Sequence, residues 1–277
     1  MTLSPSTSIL KRSVILLQGA DAASFLQGQL SQDLGGITPQ HGVQSLLLNP
    51  DGKLVDIVGV HNVDGDLVLE CDELAEELVI SRLKRFCFRV KVTMEVAPWT
   101  VRWWFDEVPS GWASSRPLGS GILTINASDL GTNGATELQV LDVERRRLQD
   151  YLPAFGAEIT TETIPAELGA DLVQRSVSFT KCCYTGQELV ARLDARGANV
   201  PFQLRRITSS SVVNVGDTFT DEQSGARRGT VTSVVDSGIG GILGLGMFHR
   251  TINVPTVLTT ASGVDVDVEE IPQVLSD

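Results

Sequence analysis

Basic residues are in short supply in this chain: 22 Lys and Arg against 34 Asp and Glu leave a net charge of −12. A phosphate backbone or an anionic membrane needs a positive face, so direct binding to nucleic acid or membrane is not expected from the charge balance. Long apolar runs are missing too. No stretch approaches the roughly 20 apolar residues that span a bilayer. The N-terminus shows no secretory pattern, because Lys11 and Arg12 precede only a short apolar run at 14–17. The expected location is therefore cytoplasmic. Four cysteines (Cys71, Cys87, Cys182, Cys183) form no disulfide framework and no C-x-x-C pair. With only three histidines (His41, His61, His249), no zinc or other metal site is expected.

What is present is the composition of a soluble globular protein. There are 277 residues, 42% hydrophobic and 20% charged, enough for one large domain or two to three smaller ones. Residues 13–18 read as a strand, and Asp21 is placed to cap a helix over 22–30. Strand patterns at 43–48 and 54–60 flank Asn49-Pro50-Asp51-Gly52, a turn signal that predicts a hairpin. Further expectations are a strand at 67–70, a helix over 73–85, a strand at 89–96, strands at 122–126 and 137–141, and a helix over 142–150. The stretch 98–121 is richer in Pro, Gly, Ser and Trp, and its tryptophans are expected in the core or at a domain contact more often than against a ligand. After residue 200, strand-like runs at 203–207, 229–235, 242–248 and 256–258 alternate with Gly, Asn, Asp and Ser, which suggests a small β-barrel or sandwich. The clusters Arg145-Arg146-Arg147, Arg205-Arg206 and Arg227-Arg228 read first as solvated faces.

The most informative stretch is Lys181-Cys182-Cys183-Tyr184-Thr185-Gly186-Gln187-Glu188. Thr185 and Glu188 have the spacing of a capping box, so a helix is expected to follow and to end at Gly197, with Arg192 and Arg196 toward its negative end. Cys183 then sits near the positive end of the helix dipole and close to Lys181, and both would stabilise a thiolate.

These residues also carry a resemblance. Ser178 to Glu188, followed by Val190-Ala191-Arg192 and Arg196-Gly197, is similar to the Lys-Gly-Cys-Tyr-x-Gly-Gln-Glu signature of the YgfZ-type family of folate-binding proteins. Phe25-Leu26-Gln27-Gly28-Gln29-Leu30-Ser31-Gln32-Asp33 resembles that family's N-terminal helix, Leu48 to Lys53 its hairpin, and 153–158 and 165–167 its middle segment. Cys182 departs from the pattern, which has Gly there. The resemblance implies a relation to the glycine-cleavage T-protein, a tetrahydrofolate-dependent aminomethyltransferase. It implies an α+β fold: a T-protein-like body of two α+β lobes (1–110 and 111–200) with a C-terminal β-barrel (201–277).

The same resemblance implies a function and a site. The function is binding of tetrahydrofolate, or a one-carbon derivative of it, in support of assembly or repair of iron–sulfur cluster proteins, a role linked to tRNA modification. The implied partners are reduced folate and iron–sulfur enzymes or their assembly proteins. Cys183 is the expected active thiol with Lys181 beside it, and Cys182 is a passive substitution. A pterin edge donates two parallel hydrogen bonds to a carboxylate, and Glu167 is the candidate acceptor. Tyr184 and Phe155 are candidate aromatic faces, and Arg147, Arg192 and Arg205 are candidates for the carboxylate tail. Asp56 falls near the T-protein's catalytic aspartate, which keeps open the alternative of an aminomethyltransferase; an acid between Val55 and Ile57 in a strand would otherwise face solvent. A third alternative is a scaffold that no longer binds folate.

Overall fold

The computed structural model describes residues 5–195, 199–221 and 224–272. It divides into two compact units, Met1–Gln139 with Gln174–Ala191, and Val140–Val173 with Arg192–Asp277. Arg196 and Gly197, where the sequence pattern ends the last helix, lie outside the described residues.

The first unit holds strands β1 (Ser6–Ile9), β2 (Arg12–Gln18), β3 (Val43–Leu48), β4 (Leu54–Val63), β5 (Asp66–Asp72), β6 (Thr93–Ala97), β7 (Thr100–Phe105), β8 (Ser114–Leu118), β9 (Gly121–Asn126) and β10 (Thr136–Glu137). They form two five-stranded sheets, ordered β3-β4-β5-β2-β6 and β10-β1-β7-β9-β8. The predicted hairpin is β3–β4, in register from Val43 opposite Val60 to Leu47 opposite Asp56. Residues 98–121, the stretch richer in Pro, Gly, Ser and Trp, contain β7 and β8. Trp103 and Trp104 are adjacent on β7 and both buried. Each indole N–H is satisfied, Trp103 by the Leu118 carbonyl at 2.9 Å and Trp104 by Thr124 Oγ1 at 2.9 Å. They are core residues, and truncating either would cost about 3–5 kcal/mol. Burial on both faces of one strand removes the alternation by which a strand is recognised.

The helices are α1 (Ala22–Gln29), α2 (Glu76–Lys84), α3 (Val140–Gln149), α4 (Ala170–Ser176) and α5 (Gln187–Ala195). Asp21 stands at the head of α1, but its carboxylate accepts from the Lys91 backbone N–H at 2.7 Å rather than capping the helix. The strand expected over 137–141 is cut short, since β10 ends at Glu137 and α3 begins at Val140.

The second unit is built on β11 (Phe202–Ser209), β12 (Thr218–Thr220), β13 (Arg227–Asp236), β14 (Ile242–His249), β15 (Thr256–Thr259) and β16 (Asp265–Glu269). They form one antiparallel, barrel-like sheet ordered β12-β13-β14-β11-β16-β15. Buried residues alternate along β13 (Gly229, Val231, Ser233, Val235), but a bulge between Val231 and Ser233 shifts its register against β14, so the two halves of the strand bury opposite faces. Ile207, Phe219, Val231, Phe248, Val266 and Val268 from five of the strands meet in its core.

Candidate functional site

In the first unit, the segment carrying Cys183 is sewn onto the sheet by polar contacts that begin upstream of the motif. Ser31 Oγ donates to the Ser176 carbonyl at 2.6 Å, the Ser178 N–H donates to the Ser31 carbonyl at 3.0 Å, and Gln44 donates to Ser176 Oγ at 2.8 Å. Lys181 then turns inward. Its ammonium donates to the carbonyls of Gln27 (2.7 Å), Leu30 (2.9 Å) and Gln32 (2.9 Å). All three N–H bonds are used, and they satisfy carbonyls at and beyond the end of α1, where orphan acceptors and the negative end of the dipole lie. Burial lowers the pKa of Lys181, with the nearby Cys182 and Asp33 acting the other way. The ammonium also lies 5.6 Å from the centre of the Tyr184 ring. Lys181 therefore anchors the loop to α1.

The next residues lock against the β3–β4 turn. Gly186 has φ +86°, and a Cβ there would stand 2.6 Å from the Asn49 carbonyl oxygen and 2.8 Å from Leu48 Cβ. Gly52, at φ +85°, faces back: a Cβ there would be 2.5 Å from Leu189 Cβ. Both glycines are required, by backbone conformation and by lack of room. The expected capping box does not form. Because α5 starts at Gln187, it is Gln187 Oε1 that accepts from the Tyr184 N–H at 3.2 Å, while the Thr185 hydroxyl points to Gln29 Oε1 at 3.4 Å. Gln29 is shared. It also accepts from Arg82 of α2 at 3.0 Å, and Arg82 Nε donates to the Leu48 carbonyl at 2.8 Å. Thus residues 25–33, 48–53 and 178–188 converge on one loop. Cys182 and Cys183 are both free and exposed at its surface, while Tyr184 is buried and its phenol pushed up to about 12 by desolvation.

Asp56 lies within the sheet and does not face solvent; it is 2% exposed. It accepts from the Asp72 N–H at 2.8 Å. Burial raises its pKa to about 6 against the pull of Arg12. Beside it lies an ionic cluster that sequence reading missed. Glu70 is fully buried and receives Arg12 on one oxygen and Arg116 on the other. Burial works against its charge, but Arg116 and then Arg12 more than offset this, so its pKa is lowered. His61, fully buried, meets Ser114 Oγ through Nδ1 at 3.0 Å. Burial depresses it to about 3, so it is neutral. The one sequence signal for this cluster was a charge inside the apolar run Val68-Leu69-Glu70-Cys71. Arg12 and Arg116 carried none.

In the second unit, Arg147 has all five donors engaged. It donates to both oxygens of Glu144 (2.8 and 2.7 Å), the Leu152 carbonyl (2.6 Å), Glu158 (3.1 Å) and Ser233 Oγ (2.8 Å). Glu158, 2% exposed, also accepts from the Ala154 N–H, Thr232 Oγ1 and Ser233 Oγ. Glu167 is half-buried in a 3₁₀ turn (Pro165–Leu168), with its pKa raised by desolvation, and its carboxylate accepts from the Ile164 N–H at 3.0 Å. Phe155 is half-buried, with a bridge to Ile159. Arg192 is exposed on α5, and Arg205 is half-buried near Gln203 and Glu270. Among the described residues no group of His, Cys, Asp and Glu could hold a metal ion.

No family model matches the chain. An uncharacterized protein of Haemophilus influenzae is 27% identical over 244 residues, covering 84% of this chain and 85% of that one. A tRNA-modifying protein YgfZ of Vibrio atlanticus is 27% identical over 237 residues, covering 76% of this chain and 72% of the relative. An iron-sulfur cluster assembly factor IBA57 homolog, mitochondrial, of Aspergillus oryzae is 26% identical over 239 residues; the match covers 67% of this chain and 53% of that longer protein. Among solved structures, the glycine cleavage system aminomethyltransferase T from Bartonella henselae superposes with a TM-score of 0.76 at 15% identity, covering 98% of this chain and 86% of the other. That likeness shows the fold.

Proposed function

We propose that this chain, related to the YgfZ-type proteins and folded like the glycine-cleavage T-protein, binds a reduced folate and supports assembly or repair of iron–sulfur proteins, with Cys183 as its active thiol. The observation that carries this is the convergence of three sequence segments on one loop that keeps Cys183 exposed. Residue types in the second unit suit such a ligand: Glu167 supplies a half-buried carboxylate and Phe155 a flat apolar face. Arg147 has no donor to spare, so the carboxylate tail falls to Arg192 or Arg205. Bound tetrahydrofolate would carry a one-carbon unit. The names of the YgfZ and IBA57 relatives support a role near iron–sulfur proteins and tRNA modification. No helix among the described residues is long and apolar enough to cross a membrane, and a cytoplasmic location is part of the proposal.

A single thiolate cannot hold a cluster, which usually takes four protein ligands, so Cys183 would act as a transient ligand or thiol partner. Lys181 would act by holding the loop, since its ammonium is committed to carbonyls. A second reading, aminomethyl transfer, is favoured by one observation: a carboxyl at Asp56 with a pKa near 6 can exchange a proton close to neutrality.

Calorimetry with tetrahydrofolate tests the proposal on the wild type, Glu167→Ala and Cys183→Ala. Folate should bind the first and third alike and the second at least about tenfold more weakly, the loss expected of a charge-assisted pair. Cys183→Ala should nonetheless fail to restore iron–sulfur enzyme activity in a deficient cell. No heat of binding to the wild type would remove the folate, and normal rescue by Cys183→Ala would remove the thiol. Asp56-dependent formation of methylene-tetrahydrofolate with a lipoyl carrier would favour the second reading.

A further inference from the structure

The basic clusters that the sequence brings forward are largely occupied. Arg145 pairs with Asp142, Arg147 with Glu144 and Glu158, Arg206 with Glu269, and Arg228 with Asp221. A different stretch is not. From Leu78 to Met94 there are seventeen residues with five cations and no acid, in a chain whose acids outnumber its bases. Arg82 is buried in the contacts described above. Lys84, Arg85, Arg89 and Lys91 are all exposed, and among the described residues none of them enters an ion pair. Between them Phe88 is 77% exposed, with the Arg89 guanidinium 5.1 Å from its ring centre.

Lys84 and Arg85 suit the C-terminal end of α2, where cations are favoured by the helix dipole. That does not account for Arg89, Lys91 or an aromatic ring held in water. The loop is also pinned at both ends. The Phe86 and Cys87 N–H groups bond back to the carbonyls of Leu83 and Lys84, and the Lys91 N–H is held by Asp21. Arg89 adopts φ +61°, a left-handed conformation uncommon outside glycine, at the turn that presents Phe88. A preorganised loop loses little entropy on binding.

We propose that this loop is a binding surface for a single-stranded RNA segment, with the four cations on phosphates and Phe88 as a stacking platform for a base. Unpaired cations around an exposed ring are the elements of sequence-tolerant single-strand binding. The net charge of −12 makes such binding depend on this local patch, whatever the rest of the surface does. The inference is independent of the folate reading, and its test contains no folate.

The experiment is fluorescence anisotropy of a labelled single-stranded RNA 12-mer with the full chain. Variants are Lys84→Glu with Arg89→Glu, Phe88→Ala and, as a control, the exposed Arg227→Glu. All substituted side chains are exposed, and unchanged melting temperatures show that the fold is kept. With four phosphate contacts, affinity should fall about 50-fold between 50 and 200 mM salt. The double variant should bind at least about tenfold more weakly, with about half the salt slope. Phe88→Ala should weaken binding about fivefold or more and leave the slope unchanged. Arg227→Glu should change nothing. Four results would overturn the proposal: no binding to RNA at 50 mM salt, equal loss with the control, binding to poly-glutamate as tight as to RNA and indifferent to Phe88, or preference for phosphatidylserine vesicles over RNA.

Discussion

Replacing Asp56 by Asn should stabilise this protein at neutral pH and leave it unchanged in acid. Asp56 is 2% exposed, and its folded-state pKa is raised from 3.8 to about 6, chiefly because burial disfavours the charge. A raised carboxyl binds its proton more tightly in the folded state, so the wild type carries no penalty below about pH 4. The penalty grows as pH rises through the interval and is complete above about 6. At 1.36 kcal/mol per pH unit, the difference between 3.8 and about 6 comes to about 3 kcal/mol. Asparagine mimics the protonated acid and can still accept from the Asp72 N–H, which donates to Asp56 at 2.8 Å. Urea unfolding of both proteins from pH 4 to 8 measures the difference. It should be near zero at pH 4 and reach about 3 kcal/mol in favour of the variant by pH 7.5. Arg12 is the group that opposes the shift. If the variant is less stable at pH 7.5, Arg12 outweighs burial and the carboxylate is not raised. A difference that does not vary with pH would refute the titration altogether.

Gly186→Ala forces a side chain into φ +86° and against the Asn49 carbonyl, so it should destabilise by about 2–4 kcal/mol. It should also change the rate at which iodoacetamide alkylates Cys183, and an unchanged rate would mean that the turn does not position the thiol. Glu70→Gln leaves the buried Arg116 guanidinium without its counter-charge and Arg12 with only Asp56 nearby, and should cost about 3–5 kcal/mol by denaturant unfolding. A loss below about 1 kcal/mol would show that water reaches Arg12 and Arg116.

Local signals were legible where the cause was local. Asn49-Pro50-Asp51-Gly52 announces a turn because Gly52 must take positive φ, and the hairpin followed. The helix expected after the Thr185/Glu188 capping spacing is present, although its first turn is closed by Gln187 and Tyr184 rather than by Thr185 and Glu188. The capping spacing was present, but the Thr185 hydroxyl is drawn to Gln29, a partner 156 residues away that no local pattern contains. β1 was unreadable for a similar reason. It is stabilised as a strand by pairing with β7, and Thr7 bonds the Trp103 carbonyl across 96 residues.

By itself the sequence determined the α+β class, the strand-rich last third and the motif around Cys183, because periodicity, turn residues and a contiguous signature are properties of neighbours along the chain. The tertiary structure decided the roles within them. It committed the Lys181 ammonium to three carbonyls, buried Asp56 beside Arg12, closed Glu70 between two arginines and left the exposed cations at the end of α2 and in the loop after it without an ion-pair partner among the described residues. Whether a charge is free, paired or desolvated depends on residues distant in sequence and on the water they exclude. Only the folded chain supplies either.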